Sequence, residues 1–414
     1  MGKTAFLLVS LFALILVSGC GSPYGDYAGN IVTVGANNSL IVNGEPFFPV
    51  GIYWVPRGKN WVVNPLPDIA RAGFNFVHPH PDEFIPLFGD SGIDLHDPVA
   101  VQSAVDDFIA WLDAVDSQGM KSCIYLKGAH DFAVGDIDWE YCAGVILRLY
   151  EHPAVLCYYL MDEPENYLGH ADRPECAPAY LRDLVDRIHA IDPYHPVMLT
   201  NFNPDVFQMY AAIPDVYSTN NFPVSWHPVS IVADWLDSAR LSMRTGEPLW
   251  SCLQAFGGSS DHPAMPTPAE IRCMTYLALN HGATGIQYFR FEFEHLRGTA
   301  GSIQTPELWN EMVLLAGEMA VLAPAVLAGT HLEDPPVCAD GAMDCAAFVL
   351  DDVTWLSAVN ASETGRTVDF SVPVPQGRAE APFETAPTVT STAAGFRDVF
   401  GPWQAHVYRY PSPP

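Results

Sequence analysis

The 414-residue chain carries 48 acidic against 19 basic residues, a formal charge of −29, in a composition that is 49% hydrophobic. A surface this acidic repels polyanions, so nucleic acid, heparin-like chains and anionic lipid faces are excluded as partners, whereas neutral sugars are not. Much of the acidity also serves as solubilising surface charge.

From the N-terminus, Met1-Gly2-Lys3 supplies a positive charge, the apolar run AFLLVSLFALILV is too short to span a bilayer comfortably, and Val17-Ser18-Gly19-Cys20 follows at once. That is the layout of an export signal. V-S-G-C resembles the bacterial lipobox, which implies cleavage before Cys20 and acylation of its thiol. Residues 1–19 are then a lipoprotein signal peptide and 20–30 a tether beginning at the lipidated Cys20. The expected location is the cell envelope, with membrane contact only through the lipid anchor. No other segment reads as a transmembrane helix. The eight cysteines besides Cys20 are an even number for an oxidising compartment. Cys338 and Cys345 flank a turn-rich segment that a disulfide can close, and Cys142 and Cys176 fall at helix starts expected to be neighbours. Cys123, Cys157 and Cys252 lie in apolar strands, as free buried thiols.

Beyond the tether, IVTVGANNSLIVNGEP (31–46) reads as a β-hairpin that caps a barrel floor. Eight short apolar or β-rich runs follow: 47–54, 73–80, 121–128, 154–163, 196–203, 215–222, 248–256 and 284–292. Helical segments lie between them, with apolar residues at three and four spacing, as in Val105, Phe108, Ile109, Leu112 and Val115, or Tyr180, Leu181, Leu184, Val185 and Ile188. Eight strand-helix units in series predict an α/β fold, a closed (β/α)8 TIM barrel over 31–330. After a long helix from Pro306 to Leu327 the pattern turns to alternating β-branched runs, so 331–414 reads as a C-terminal all-β, sandwich-like domain.

YYLMDEPENY, residues 158–167, ends the fourth barrel strand with two adjacent carboxylates. Catalytic groups of such barrels sit at the C-terminal strand ends, which makes Asp162 and Glu163 the candidate catalytic pair. Adjacent like charges raise the apparent pKa of the pair and help one member stay protonated. The bland role for either is to cap the next helix or to pair with a loop arginine such as Arg173.

The first strand after NGEPFFPVGIY, the acid-Glu-Pro at the end of strand four and the eighth strand HGATGIQYF are similar to the clan A glycoside hydrolases, barrels that often carry an appended β-sandwich. The resemblance implies that Glu163 is the general acid/base of a glycosidase. Two positions depart from it: Asp162 stands where the clan has asparagine, and Gln254, in WSCLQAFGG, stands where the strand-seven nucleophile is a glutamate. An amide cannot form a glycosyl ester, so the second carboxylate has to come from Asp82, Glu83, Asp261 or Glu292, if one exists. The Asp-Glu pair also resembles the substrate-assisted hexosaminidases, which need no protein nucleophile.

Trp54, Trp61, His78, His80, Lys127, His130, Asn201, Asn203, Tyr217, Asn220, Asn221, Trp226 and Gln254 all fall at or just after strand ends and suit pyranose binding. Glu292 joins them as a further candidate. His78-Pro79-His80-Pro81-Asp82 offers metal-type donors but no third ligand stands out, so no metal or cofactor is assigned. The leading expectation is a glycosidase acting on a neutral poly- or oligosaccharide. The alternatives are a substrate-assisted N-acetylhexosaminidase, a non-catalytic carbohydrate-binding barrel, and a transglycosylase or lyase-like activity. The sugar, its linkage and the oligomeric state are not written in the sequence.

Overall fold

The computed structural model describes residues 27–55, 65–79, 98–125, 139–169, 176–291, 301–332, 335, 343–372, 379–384, 389–392 and 395–412. It opens with a three-stranded antiparallel sheet rather than a hairpin: β1 (Val32–Val34), β2 (Leu40–Val42) and β3 (Glu45–Phe47). Asn43 and Gly44 take the positive φ angles, 52° and 90°, that a two-residue hairpin turn requires. The third strand escaped the sequence reading because Pro46 argues against a strand; here it lies on an outer strand, where a missing N–H can be tolerated. Val32, Leu40 and Val42 pack into the same cluster as the barrel's interior side chains, so this small sheet closes the N-terminal end.

The eight expected strands form a closed parallel barrel: β4 (Val50–Val55), β5 (Phe76–Pro79), β6 (Lys121–Tyr125), β7 (Val155–Asp162), β8 (Val197–Asn201), β9 (Val216–Asn221), β10 (Leu249–Gln254) and β11 (Gly285–Phe289). Strands buried on both faces need apolar residues on both, which is why they read as continuous runs. Inward side chains, among them Tyr53, Phe76, Tyr159, Met198, Trp250 and Cys252, fill the interior, and outward ones join the helices in a larger core. The helices are α1 (Leu66–Arg71), α2 (Pro98–Asp116), α3 (Trp139–Leu149), α4 (Pro178–Ile191), α5 (Phe207–Tyr210), α6 (Ile231–Ser242), α7 (Pro268–Asn280) and α8 (Pro306–Ala328). The predicted stripes are the buried ones: Val105, Phe108, Leu112 and Val115 on α2, and Leu181, Leu184, Val185 and Ile188 on α4. A capping box between Thr267 and Glu270 starts α7.

One expectation is corrected. Helix α8, 23 residues long, is apolar enough to cross a membrane by length and composition, although the sequence reading found no such segment after the signal. Its buried residues, such as Leu308, Met312, Leu315, Met319 and Leu322, pack in the core shared by the barrel and the C-terminal strands.

The C-terminal strands form two antiparallel sheets. One runs β12 (Thr330–His331), β13 (Asp344–Leu350), β14 (Val353–Val359) and β18 (Ala405–Pro411); the other runs β15 (Arg366–Ser371), β17 (Gly395–Phe400) and β16 (Thr390–Ser391). Phe370, Phe396, Phe400 and Tyr408 fill the space between them. The first sheet joins α7 and α8 through Phe348, Val359, Ala405 and Val407. Polar ties reinforce it: Asn280 Nδ2 donates to Asp344 Oδ1 at 2.6 Å, and His281 bridges Asp237 and Asp344, 2.7 Å from each. Cys123, Cys157 and Cys252 are free buried thiols inside the barrel, as expected; Cys142 and Cys176 are buried in the outer core, and Cys338 lies outside the described residues.

Candidate active site

A bulge in β7 decides where the two carboxylates point. Tyr159 pairs with Met198 and Met161 with Leu199, so Leu160 is an extra residue that shifts the alternation by one. Tyr159 and Asp162 therefore both face inward, and the Tyr159 hydroxyl donates to Asp162 Oδ1 at 2.7 Å. The next residue, Glu163, adopts φ 46° and ψ 53°, a left-handed conformation that for a residue with a Cβ costs about 1–3 kcal/mol. Its N–H is held by the Thr200 carbonyl at 2.9 Å, and Pro164 then begins a short helical turn, Pro164–Tyr167. The sharp turn brings the Glu163 side chain to the mouth of the barrel.

Asn220, at the end of β9, joins the pair. Its Nδ2 donates to Glu163 Oε1 at 2.7 Å and lies 3.4 Å from Asp162 Oδ1. Asn166 donates to Glu163 Oε2 at 3.1 Å. Asp162 is packed deep but keeps part of its surface exposed. Burial first, and the neighbouring Glu163 and Glu165 charges second, push its carboxyl from 3.8 up to about 8, against the opposing bonds from Tyr159 and Asn220. The sequence suggested that one acid would stay protonated; burial makes Asp162 the one.

The third carboxylate of the motif has a different task. Glu165 accepts from the Phe202 N–H at 2.6 Å, from the Asn203 N–H at 3.2 Å and from the Asn201 amide, which fastens the turn after β7 to the end of β8. Burial still pushes its carboxyl up to about 7. Asn201, expected to bind substrate, is thereby occupied and fully buried.

Three more candidates are also drawn away from the cleft. Tyr217 faces outward from the barrel and packs against Phe207 in the helix-side core, because β9 alternates Val216 inward and Tyr217 outward. His78 faces inward but is fully buried, stacked on Tyr53 at 3.7 Å between ring centroids and edge-on to Tyr159 at 4.5 Å. Burial keeps its imidazole well below 6.5, and therefore neutral, with Gln287 beside it. It supports the aromatic floor under Asp162. Gln254 stands on the inward row of β10, yet its amide is used by the backbone: Oε1 accepts from the Val224 N–H at 2.9 Å, and Nε2 donates to the carbonyls of Phe256 at 3.1 Å and Val224 at 3.4 Å. It is fully buried, so it is not placed to touch a substrate.

His80, Lys127 and Glu292 lie outside the described residues, as do Trp61, Asp82, Glu83, His130 and Cys20. The backbone of Trp54 is in β4, and its side chain is outside the described set.

Above the pair opens a cleft of about 730 Å³. Glu163, Asn166 and Asn220 line one side, and Phe202, Phe222, Trp226 and Trp235 supply apolar faces, with Asn203, His227, Asp261 and His262 between them. Of the second-carboxylate candidates, Asp261 alone is both described and on this wall. Sequence reasoning missed Asn166, Phe222, Trp235 and Tyr159. Asn166 was within reach, since a residue three past Glu163 on a helical turn faces back toward it; the others depend on bulges and loop paths.

This arrangement can hold a proton beside an open apolar groove, deliver it to a bound group, and grip neutral hydroxyls through amides. No protein-family model matches the chain, and no curated protein sequence matches it. Solved structures do. An α-amylase from Geobacillus thermoleovorans, complexed with acarbose, aligns with a TM-score of 0.57 at 12% identity, covering 87% of this chain and 98% of that one. A GH30 endoxylanase from Clostridium papyrosolvens aligns with a TM-score of 0.50 at 10% identity, over 93% and 98% of the two chains. A family 30, subfamily 8 xylanase from Clostridium acetobutylicum aligns with a TM-score of 0.52 at 12% identity, over 88% and 96%. The fold shared with these glycoside hydrolases is the (β/α)8 barrel with a C-terminal all-β unit, spanning nearly their whole length.

Proposed function

We propose that the protein is a glycoside hydrolase acting on a neutral poly- or oligosaccharide, with Glu163 as general acid/base. The carrying observation is the Asp162-Asn220-Glu163 cluster at the floor of an aromatic-walled groove on the C-terminal mouth of the barrel. Glu163 reaches the groove and gives its proton to the glycosidic oxygen as the bond breaks. Asp162, which holds a proton at neutral pH, is the partner from which Glu163 is reprotonated. The likeness to an amylase and to xylanases supports the class of substrate, and the chain's −29 charge disfavours anionic glycans. Export and anchoring through an acylated Cys20 would place this activity at the cell envelope.

The commitment of Gln254 to the backbone favours a second reading, in which the substrate's own 2-acetamido group replaces a protein nucleophile. Turnover of a broad oligosaccharide panel, with the product anomer read by NMR before mutarotation, tests both. A hydrolase that retains configuration only on 2-acetamido sugars selects the second reading, and cleavage of sugars with a free 2-hydroxyl selects the first. Binding without any turnover leaves a carbohydrate-binding barrel and overturns the enzyme.

A further inference from the structure

Gln254 raises a question that the carboxylates do not answer: why a fully buried amide closes β10 on the row facing the barrel axis. Its three bonds give the reason. Two of its partners are the N–H and the carbonyl of Val224, and the third is the Phe256 carbonyl, so the side chain bridges the loop after β9 to the loop after β10. Two carbonyl acceptors face Nε2, and only an NH2 group satisfies both; an ionised acid there would meet oxygen lone pairs instead of donors.

The clamped loop is itself unusual. Ser225 has φ 98°, outside the region that residues with a Cβ normally adopt, and its Oγ accepts from the Ala264 N–H at 2.9 Å. Trp226 follows, with its N–H bonded to the Pro223 carbonyl at 3.0 Å and its indole N–H donating to the Asp261 carbonyl. The ring is thus fixed by its one polar group while 61% of the residue surface stays open, on the same cleft as Glu163. A strained turn, held from three sides to display one indole in a cleft, is an arrangement that packing alone does not require. An indole that has spent its N–H on protein offers its apolar face, which suits the C–H face of a pyranose.

We propose that Trp226 is the stacking platform for a second sugar residue, beside the one held at Glu163, and that Gln254 is the positioning residue that keeps it there. The inference rests on the glycosidase reading of this cleft and extends it: the preferred substrate is a chain of several neutral sugars rather than a single glycoside.

The test measures kcat/KM on xylo-oligosaccharides and malto-oligosaccharides of increasing length, with Leu241→Ala, a remote exposed substitution on α6, as control. The intact protein should gain on longer chains, and Trp226→Ala should remove about tenfold of that gain, the size of one lost apolar contact face, through KM rather than kcat. Trp226→Phe should restore part of it. Gln254→Met, similar in shape but without the amide, should reduce the length preference in the intact protein and have no further effect on it once Trp226 is alanine. Cleavage of these chains with the length preference unchanged in Trp226→Ala overturns the platform and leaves the glycosidase standing. Equal, additive effects of Gln254→Met in both backgrounds overturn its positioning role. If the intact protein neither cleaves nor binds any chain, the site reading and the platform fall together. Trp226 is on the surface, so its variants decide the matter even if Gln254→Met fails to fold.

Discussion

Asp162→Asn keeps the shape of the side chain and an oxygen to accept from Tyr159 and Asn220, and removes the charge. In the native protein this carboxyl is displaced from 3.8 to about 8, chiefly by burial and then by the Glu163 charge. At 1.36 kcal/mol per pH unit the full displacement corresponds to roughly 6 kcal/mol, and the partial exposure of Asp162 trims it to roughly 3–5 kcal/mol. The sign follows from proton uptake. Between pH 4 and 8 the folded state holds a proton that the unfolded state has released, so stability falls as pH rises through this window and levels off above it. Below pH 4 both states are protonated and the variant should match the native protein. At pH 8.5 it should be more stable by that 3–5 kcal/mol, seen as a difference of several degrees in unfolding midpoint. Thermal unfolding of both proteins at half-unit steps from pH 4 to 9 is the assay. Parallel curves over the whole range would show that Asp162 is not a buried, protonated acid. Catalysis provides a second readout: with Asp162 as the source of the proton that Glu163 delivers, cleavage by the native protein should decline as pH rises through about 8.

Three further outcomes are expected. The imidazole of His281, pulled down by burial but raised more strongly by Asp344 and Asp237, stands at about 9, so its contribution is complete below pH 6.5 and lost as pH rises through 9. Chemical denaturation should find His281→Gln less stable by roughly 2–3 kcal/mol at pH 6 and near parity at pH 10. Arg272 donates to Glu318 through both terminal nitrogens, at 2.7 and 2.9 Å, and to Glu311 at 2.5 Å. Arg272→Met strands the buried Glu318 and should lower unfolding stability by about 3–5 kcal/mol at neutral pH. Cys20→Ser should move the exported protein from the detergent phase to the aqueous phase in a partition assay without altering turnover; a freely soluble native protein with another N-terminus would contradict the anchor.

The barrel was legible because each parallel strand is buried on both faces and so appears as an apolar run, with amphipathic helices at regular intervals. Glu45–Phe47 was hidden by its proline; α8 was read as a helix from Pro306 to Leu327, but that it is long and apolar enough to cross a membrane was not. The site was legible to the resolution of strand ends and no finer. Asp162, Glu163, Asn220 and Trp226 were found because position on the chain and position at the mouth coincide. Tyr217, Asn201 and His78 have the same sequence credentials, but Tyr217 turns outward, Asn201 is taken up by Glu165 and His78 is buried under the aromatic floor, none of which a single sequence displays. Gln254 resembled a substituted nucleophile; two of its three bonds go to Val224, on a loop 30 residues earlier in the chain.

The central claim is that a proton delivered by Glu163 breaks a glycosidic bond. Glu163→Gln keeps the hydrogen bond from Asn220 and abolishes that proton. Initial rates on an oligosaccharide with a poor leaving group, measured for the native protein and for Glu163→Gln at matched unfolding midpoints, should differ by about 10² to 10⁴. Equal rates in two equally folded proteins would contradict the account.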